Sequence, residues 1–217
     1  MGKVIRGLLL PFLILLIVLP VFLFSCSTSP YANLTNFSSG RGANLICFGD
    51  SLTAGEGAQP GTAYPDLLSG NVKFPVINAG VSGDTTRSAL ARLDRDVIDK
   101  NPRVVIIELG ANDYLQSAGA AQTEDAAFDN LKQMVIDIQS AGALVVIADV
   151  FITADWSVRY KQLAKAYGCL YIPDALAGVM NDPAMMSDDG LHPNSFGYAK
   201  MAANIMNVLQ PMLKAMP

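Results

Sequence analysis

From residue 45 onward, short apolar runs alternate with longer segments whose apolar residues recur at helical spacing, and nothing else in the chain restricts its fold as much. The runs are 45–48, 73–77, 104–109, 143–148 and 169–172. Between them, 85–100 puts Leu90, Leu93 and Val97 on one face, and 124–140 does the same with Phe128, Leu131, Val135 and Ile138. Residues 156–167 and 195–212 read as the other helices. Strands alternating with helices predict an α/β, three-layer domain: a five-stranded parallel sheet with helices on both faces. The pattern is compatible with a flavodoxin-like strand order. Sheets of this kind bind ligands at the carboxyl ends of their strands.

The residues at those ends are therefore the ones to read for chemistry. Leu45-Ile46-Cys47-Phe48 stops at Gly49-Asp50-Ser51, and Thr53, Ala54, Gly55 and Gly57 then open a loop. A serine at this point can be a nucleophile on the active edge, or Asp50 and Ser51 can be helix caps. Asn78-Ala79-Gly80-Val81-Ser82-Gly83 follows the apolar run 74–77, and Glu108-Leu109-Gly110-Ala111-Asn112-Asp113 follows 104–107. Asp189-Gly190-Leu191-His192-Pro193 precedes the last helical stretch, and His192 is the single histidine of the chain. A serine hydroxyl attacks only when a base removes its proton. His192 is the one imidazole able to do so and to return the proton to a leaving group. Its other ring nitrogen needs an acceptor, and Asp189, three residues earlier across a glycine turn, is placed to reach it. Asp50 reads as a structural hydrogen-bond partner, and Asp113 as a brace for its loop.

These four blocks, in this order, resemble the GDSL or SGNH hydrolase family, and most closely its bacterial thioesterase, lysophospholipase and arylesterase group. The resemblance runs from about residue 45 to the end. It implies the flavodoxin-like order and a serine ester hydrolase without a cofactor. It makes Ser51, His192 and Asp189 the catalytic residues, with Asp189 preferred to Asp188 as the acid. Attack generates an oxyanion that needs donors. The N–H of Ser51 is one candidate, and the resemblance assigns the N–H of Gly80 and the side-chain amide of Asn112 as the others. Read singly, Gly80 is a turn glycine and Asn112 a turn or cap residue. The chain lacks the Gly-x-Ser-x-Gly elbow of α/β-hydrolases. Ala111 stands where the thioesterase-like group often has a second glycine.

The expected reaction is hydrolysis of acyl esters, thioesters or lysophospholipids through an acyl-serine. Carbohydrate O-deacetylation in the cell envelope is the second reading, and a non-catalytic ligand-binding surface lipoprotein is the third. Composition excludes other classes. With net charge −4, a pI of about 4.9 and no Lys/Arg cluster, the chain has no footprint for nucleic acid. Three cysteines without close spacing supply neither a zinc ribbon nor a disulfide framework, and one histidine argues against a His-rich metal site. Cys47 and Cys169 read as small buried hydrophobes and Trp156 as core or rim packing. Met185 and Met186 either line an acyl groove or pack within their loop.

The first 25 residues read as export chemistry: Lys3 and Arg6, then an uninterrupted apolar run over 8–24. Leu23-Phe24-Ser25-Cys26 looks like a lipobox, in which Cys26 becomes the lipidated first residue of a mature bacterial lipoprotein, although Phe24 is bulkier than usual. Multiple acyl chains would hold it firmly to a membrane. Ser27 in place of aspartate points, by the usual sorting pattern, to the outer membrane facing the periplasm. An unmodified Cys26 after an ordinary signal peptide, or an uncleaved apolar anchor, are the alternatives. Residues 26–43, rich in Ser, Thr, Asn and Gly, read as a flexible tether, and 44–217 as the hydrolase domain.

Overall fold

The structure is a computed structural model and describes Gly2 and residues 29–117, 121–150 and 152–217. The leader over 1–25 and the lipidation site Cys26 lie outside the described residues.

Five parallel strands form one sheet: β1 (Asn44–Gly49), β2 (Val76–Gly80), β3 (Pro102–Glu108), β4 (Leu144–Ala148) and β5 (Leu170–Ile172). Their order is β2-β1-β3-β4-β5, every neighbouring pair being parallel, which is the flavodoxin-like arrangement. The pleat sends alternate residues to opposite faces. Leu45, Cys47, Val104, Ile106, Leu144 and Val146 pack in one cluster with α2 (Tyr64–Ser69) and α8 (Ser195–Ala215). Their neighbours Ile46, Phe48, Val105, Ile107, Val145 and Ile147 pack in the other. That face is covered by α3 (Thr86–Ala91), α6 (Ala121–Ser140) and α7 (Ala154–Tyr167). Both faces being covered is why the strands read as continuous apolar runs. Cys47 and Cys169 are buried free thiols, and Trp156 is core.

Three local expectations are corrected. The second strand lies three residues further on than 73–77, because its ladder with β1 starts at Val76 and carries through Gly80. The single helix expected over 85–100 is broken into α3, α4 (Leu93–Asp96) and a short 3-10 turn. The break falls at Arg92, whose guanidinium turns inward to Asp84 (2.6 Å), to the carbonyls of Ala79 and Gly49, and over the Phe48 ring. The short helices α2 and α5 (Ala111–Ser117) gave no periodic signal. Met185 and Met186 pack against the core, so the loop-packing reading holds for them.

The third correction concerns the tether. In its described part the segment is a run of turns docked on the domain. Phe37 is buried in the core, with Tyr31 and Leu34 packed against the same cluster. Asn36 sits at φ +62, and its amide donates to the carbonyls of Gln139 and Ala143. Thr35 donates to Tyr167 O, and Arg103 reaches back to the carbonyls of Asn36 and Phe37. Polar composition suggested a linker, but these polar groups satisfy carbonyls at the amino edge of the sheet, while apolar residues at spacing three face inward.

Candidate active site

β1 ends at Gly49, and Asp50 caps the short helix α1 (Ser51–Ala54) by accepting the Leu52 N–H at 3.0 Å. Asp50 is therefore the cap, and Ser51 is presented on the first turn. Glycines make the close packing of α1 possible. A Cβ at Gly49 would fall 2.0 Å from Thr53 Oγ1, and one at Gly80 2.2 Å from Ala54 N. Ser51 thus stands at the β1/β3 boundary, where the strand order reverses and doubly wound sheets open a crevice.

His192 arrives from the far end of the chain. Its loop is pinned by Asn194, which caps α8 through the N–H groups of Phe196 and Gly197 and donates to the carbonyls of Ala184 and Met186. A bridge joins Met186 to Pro193, and Ser187 N–H donates to His192 O. This frame sets the imidazole with Nε2 2.9 Å from Ser51 Oγ and Nδ1 2.6 Å from Asp189 Oδ2. The other Asp189 oxygen accepts from Ser187 Oγ and from the N–H groups of Leu191 and His192. The His192 ring, followed by these donors, holds the Asp189 carboxyl well below the usual carboxylate range. Asp189, His192 and Ser51 thus form a continuous hydrogen-bonded relay, the arrangement that an orienting acid, a base and a nucleophile require.

The relay opens into a cleft of about 530 Å³ whose walls are mainly apolar, among them Leu52, Leu115, Val150, Ile152, Leu176 and Met180. Asn112, in the first turn of α5, lines the same cleft. Its amide donates to Asp84 O at 2.9 Å and to Asp50 Oδ2 at 3.1 Å. Asp113 braces the site by accepting both the N–H and the hydroxyl of Thr86. The Ser51 N–H, first in its turn, meets no acceptor among the described residues.

Residues 47–200 match the model of the GDSL-like lipase/acylhydrolase family. The chain belongs to this family. As a GDSL-like acylhydrolase it is a serine ester hydrolase. It is 33% identical over 190 residues to the thioesterase 1/protease 1/lysophospholipase L1 of Escherichia coli K12, covering 83% of this chain and 89% of that protein. It is 35% identical over 162 residues to an arylesterase of Vibrio mimicus, covering 69% and 79% of the two chains. The crystal structure of TesA superposes with a TM-score of 0.69 at 28% identity, over 78% of this chain and 99% of that one.

In this acylhydrolase the expectation for Gly80 is corrected. β2 is an edge strand, and along a parallel ladder alternate N–H groups point to the neighbour. Val81 N–H donates to Gly49 O, so the Gly80 N–H points to the outer edge, where Asn78 Oδ1 accepts it at 2.9 Å. Gly80 therefore serves the packing of α1. In the same loop Gly83, at φ +83, carries an N–H without an acceptor among the described residues, directly before the Asp84 carbonyl held by Asn112.

Reading the residues also passed over Glu108. It is fully buried at the end of β3, where its charge bears on the Asp50 carboxyl and Oε2 accepts from Thr53 Oγ1 at 2.9 Å. The Thr53 hydroxyl in turn meets Tyr64 OH at 2.9 Å. Burial raises Glu108 well above the ordinary carboxyl range and pushes Asp50 up to about 6. An acidic residue closing an otherwise apolar strand was the available signal.

Proposed function

We propose that Ser51 attacks the carbonyl carbon of an acyl ester, thioester or lysophospholipid while His192 Nε2 takes its proton. The oxyanion meets the N–H of Ser51, the amide of Asn112 and, in place of Gly80, the N–H of Gly83. The tetrahedral species collapses as His192 returns the proton to the departing alcohol or thiol. Water then attacks the acyl-serine by the same route, releasing the acid. The observation that carries this reading is the 2.6 and 2.9 Å relay opening on an apolar cleft. That lining favours an acyl chain over a sugar-borne acetyl group, and the relay supports turnover rather than ligand binding alone.

A fluorophosphonate probe tests the reading, since it reacts only with an activated serine. Stoichiometric labelling of Ser51 is expected, and an unlabelled protein would favour the non-catalytic reading. A panel of long-chain acyl esters, thioesters and acetylated glycans separates the enzyme readings. Preference for acetylated glycans would overturn the acyl-chain assignment.

Both Asn112 N–H groups are engaged in the free enzyme, so stabilising the oxyanion means sharing or yielding the longer bond, to Asp50. Asn112→Ala is expected to lower kcat by about 10²–10³ with a smaller effect on KM, as loss of a donor used mainly in the transition state should. Steady-state kinetics on a p-nitrophenyl ester checks this, and an unchanged kcat removes Asn112 from the oxyanion site.

The acylhydrolase is further proposed to be exported and held by a lipid on Cys26 to the bacterial outer membrane, facing the periplasm. The basic start, apolar run and Leu23-Phe24-Ser25-Cys26 support this. Mass spectrometry of the mature N-terminus should find an acylated Cys26, and an unmodified cysteine would overturn it.

A further inference from the structure

The docked N-terminal segment bears on where the substrate comes from. The hydrogen bonds it makes to the rest of the domain over 35–44 are at the amino edge of the sheet. Thr35 N–H donates to Gly168 O, before β5, and Arg41 N–H to Gly142 O, before β4. Ala43 N–H donates to Asn101 O, before β3, and Asn44 Nδ2 to Lys100 O. Tyr31 packs against Phe37, with ring centroids 5.7 Å apart, and Arg103 near the start of β3 donates to the Phe37 carbonyl. The catalytic groups stand at the opposite edge: Ser51 follows β1, Asn112 follows β3, and α8 begins three residues after His192.

The distances then decide the orientation. α8 has 21 residues and so spans about 31 Å from the catalytic edge to the amino edge. Four residues separate Cys26 from Tyr31, and five fully extended steps reach about 18 Å at most. If the apolar run ending at Phe24 were instead retained as an anchor, seven steps would reach about 25 Å. Either length is shorter than the domain. An anchor at this end cannot pass along the side of the domain and let the catalytic edge lie on the same bilayer.

We infer that the docked segment 30–43 turns the active edge away from the membrane that anchors the protein, so that its substrates are acyl esters reaching it from the aqueous side or from a facing surface, not lipids of its own bilayer. This rests on the anchored reading of the N-terminus given above. The mouth of the cleft suits such delivery. Leu115, Leu191 and Met180 line it and are 61%, 52% and 44% exposed, an apolar rim for the acyl part of an amphiphile.

The test uses the full anchored chain in phosphatidylethanolamine/phosphatidylglycerol vesicles and a fluorogenic octanoyl ester in three forms. One is free in water, one is linked to a phosphatidylethanolamine headgroup in the same vesicles, and one is so linked in separate vesicles. The comparison is a variant with a 30-residue Gly/Ser insert between Thr28 and Ser29, adding a root-mean-square reach of about 30 Å. Both proteins should cleave the free ester equally. They should also match on the separate vesicles, whose rate against that of the free ester tells a facing surface from aqueous delivery. The insert should raise cleavage of the same-vesicle ester by at least about tenfold, because it alone lets the active edge reach that surface. Cleavage of the same-vesicle ester by the native-length chain within twofold of the insert variant would overturn the orientation. A chain that does not float with the vesicles overturns the anchor and this inference with it. A floating chain inert to the free ester overturns the catalytic assignment instead.

Discussion

Ser51→Ala is expected to lower kcat/KM on a p-nitrophenyl ester by about 10⁴–10⁶, a loss of about 5.5–8 kcal/mol of transition-state stabilisation. His192→Ala should lose about as much, and the double variant little more than either. The reason is that Ser51 Oγ and His192 Nε2, 2.9 Å apart, act as one unit: the hydroxyl is inert without a base, and the base has no other proton to take. Neither change should alter the melting temperature by more than a degree or two, since both side chains stand at the cleft and not in the core. Full activity in Ser51→Ala would end the assignment of the nucleophile. Asp189 adds a pH statement. Its folded pKa is depressed, chiefly by the His192 ring, so it contributes stability above its unfolded pKa that is lost as pH falls toward the folded value. It therefore stays ionised through the ordinary carboxylate range, and the pH–activity profile should show no step from it there. Asp189→Asn, by contrast, should lower kcat across the profile because the amide no longer orients and stabilises the imidazolium.

The second large effect lies beneath the serine. Glu108→Ala is expected to destabilise the fold by about 2–4 kcal/mol, through the cavity and the loss of partners for Asp50 and Thr53. At about 2–4 °C per kcal/mol for a domain of this size, the melting temperature should fall by about 5–15 °C. Glu108→Gln should be close to wild type. Thr53 donates to one oxygen of Glu108, while the other, Oε1, has no hydrogen-bond partner among the described residues. A carboxyl meeting the Asp50 carboxyl is satisfied when Glu108 holds the proton and donates it, and a glutamine amide donates in the same place. The linkage has a definite sign. The folded pKa values of Asp50 and Glu108 are raised by burial, so between the ordinary carboxyl pKa and the folded values the folded state binds more protons than the unfolded chain. Stability from this pair is thus full below about pH 4, and falls as pH rises through about 6, the folded value of Asp50. Thermal denaturation of wild type and Glu108→Gln across that range should show the slope in the first and its flattening in the second. A Glu108→Gln protein as unstable as Glu108→Ala would refute the shared proton.

Much of this was legible in the residues. Alternating apolar runs and helical periods carried the sheet and its two covered faces, because burial on both sides of a strand leaves a local mark. The serine at the end of one run and the single imidazole beside Asp189 were visible because nucleophilic chemistry admits few residue types. Other features left no local mark. The run of turns over 30–39 looked like a linker because its polar side chains bond carbonyls more than a hundred residues away, as Asn36 does with Gln139 and Ala143. Gly80 and Gly83 are equivalent as letters, and only the parity of the β1–β2 ladder shows which N–H points outward to the edge.

The amino-acid sequence by itself determined the layer architecture, the family and the chemical types at the active edge, all of which depend on short-range periodicity and on the identity of a few reactive groups. Tertiary structure alone decided which backbone N–H groups are free, that Glu108 lies buried against Asp50, and that the N-terminal segment closes the edge opposite Ser51. Hydrogen-bond partners and burial are set by contacts between residues far apart in the chain, and no local pattern encodes them.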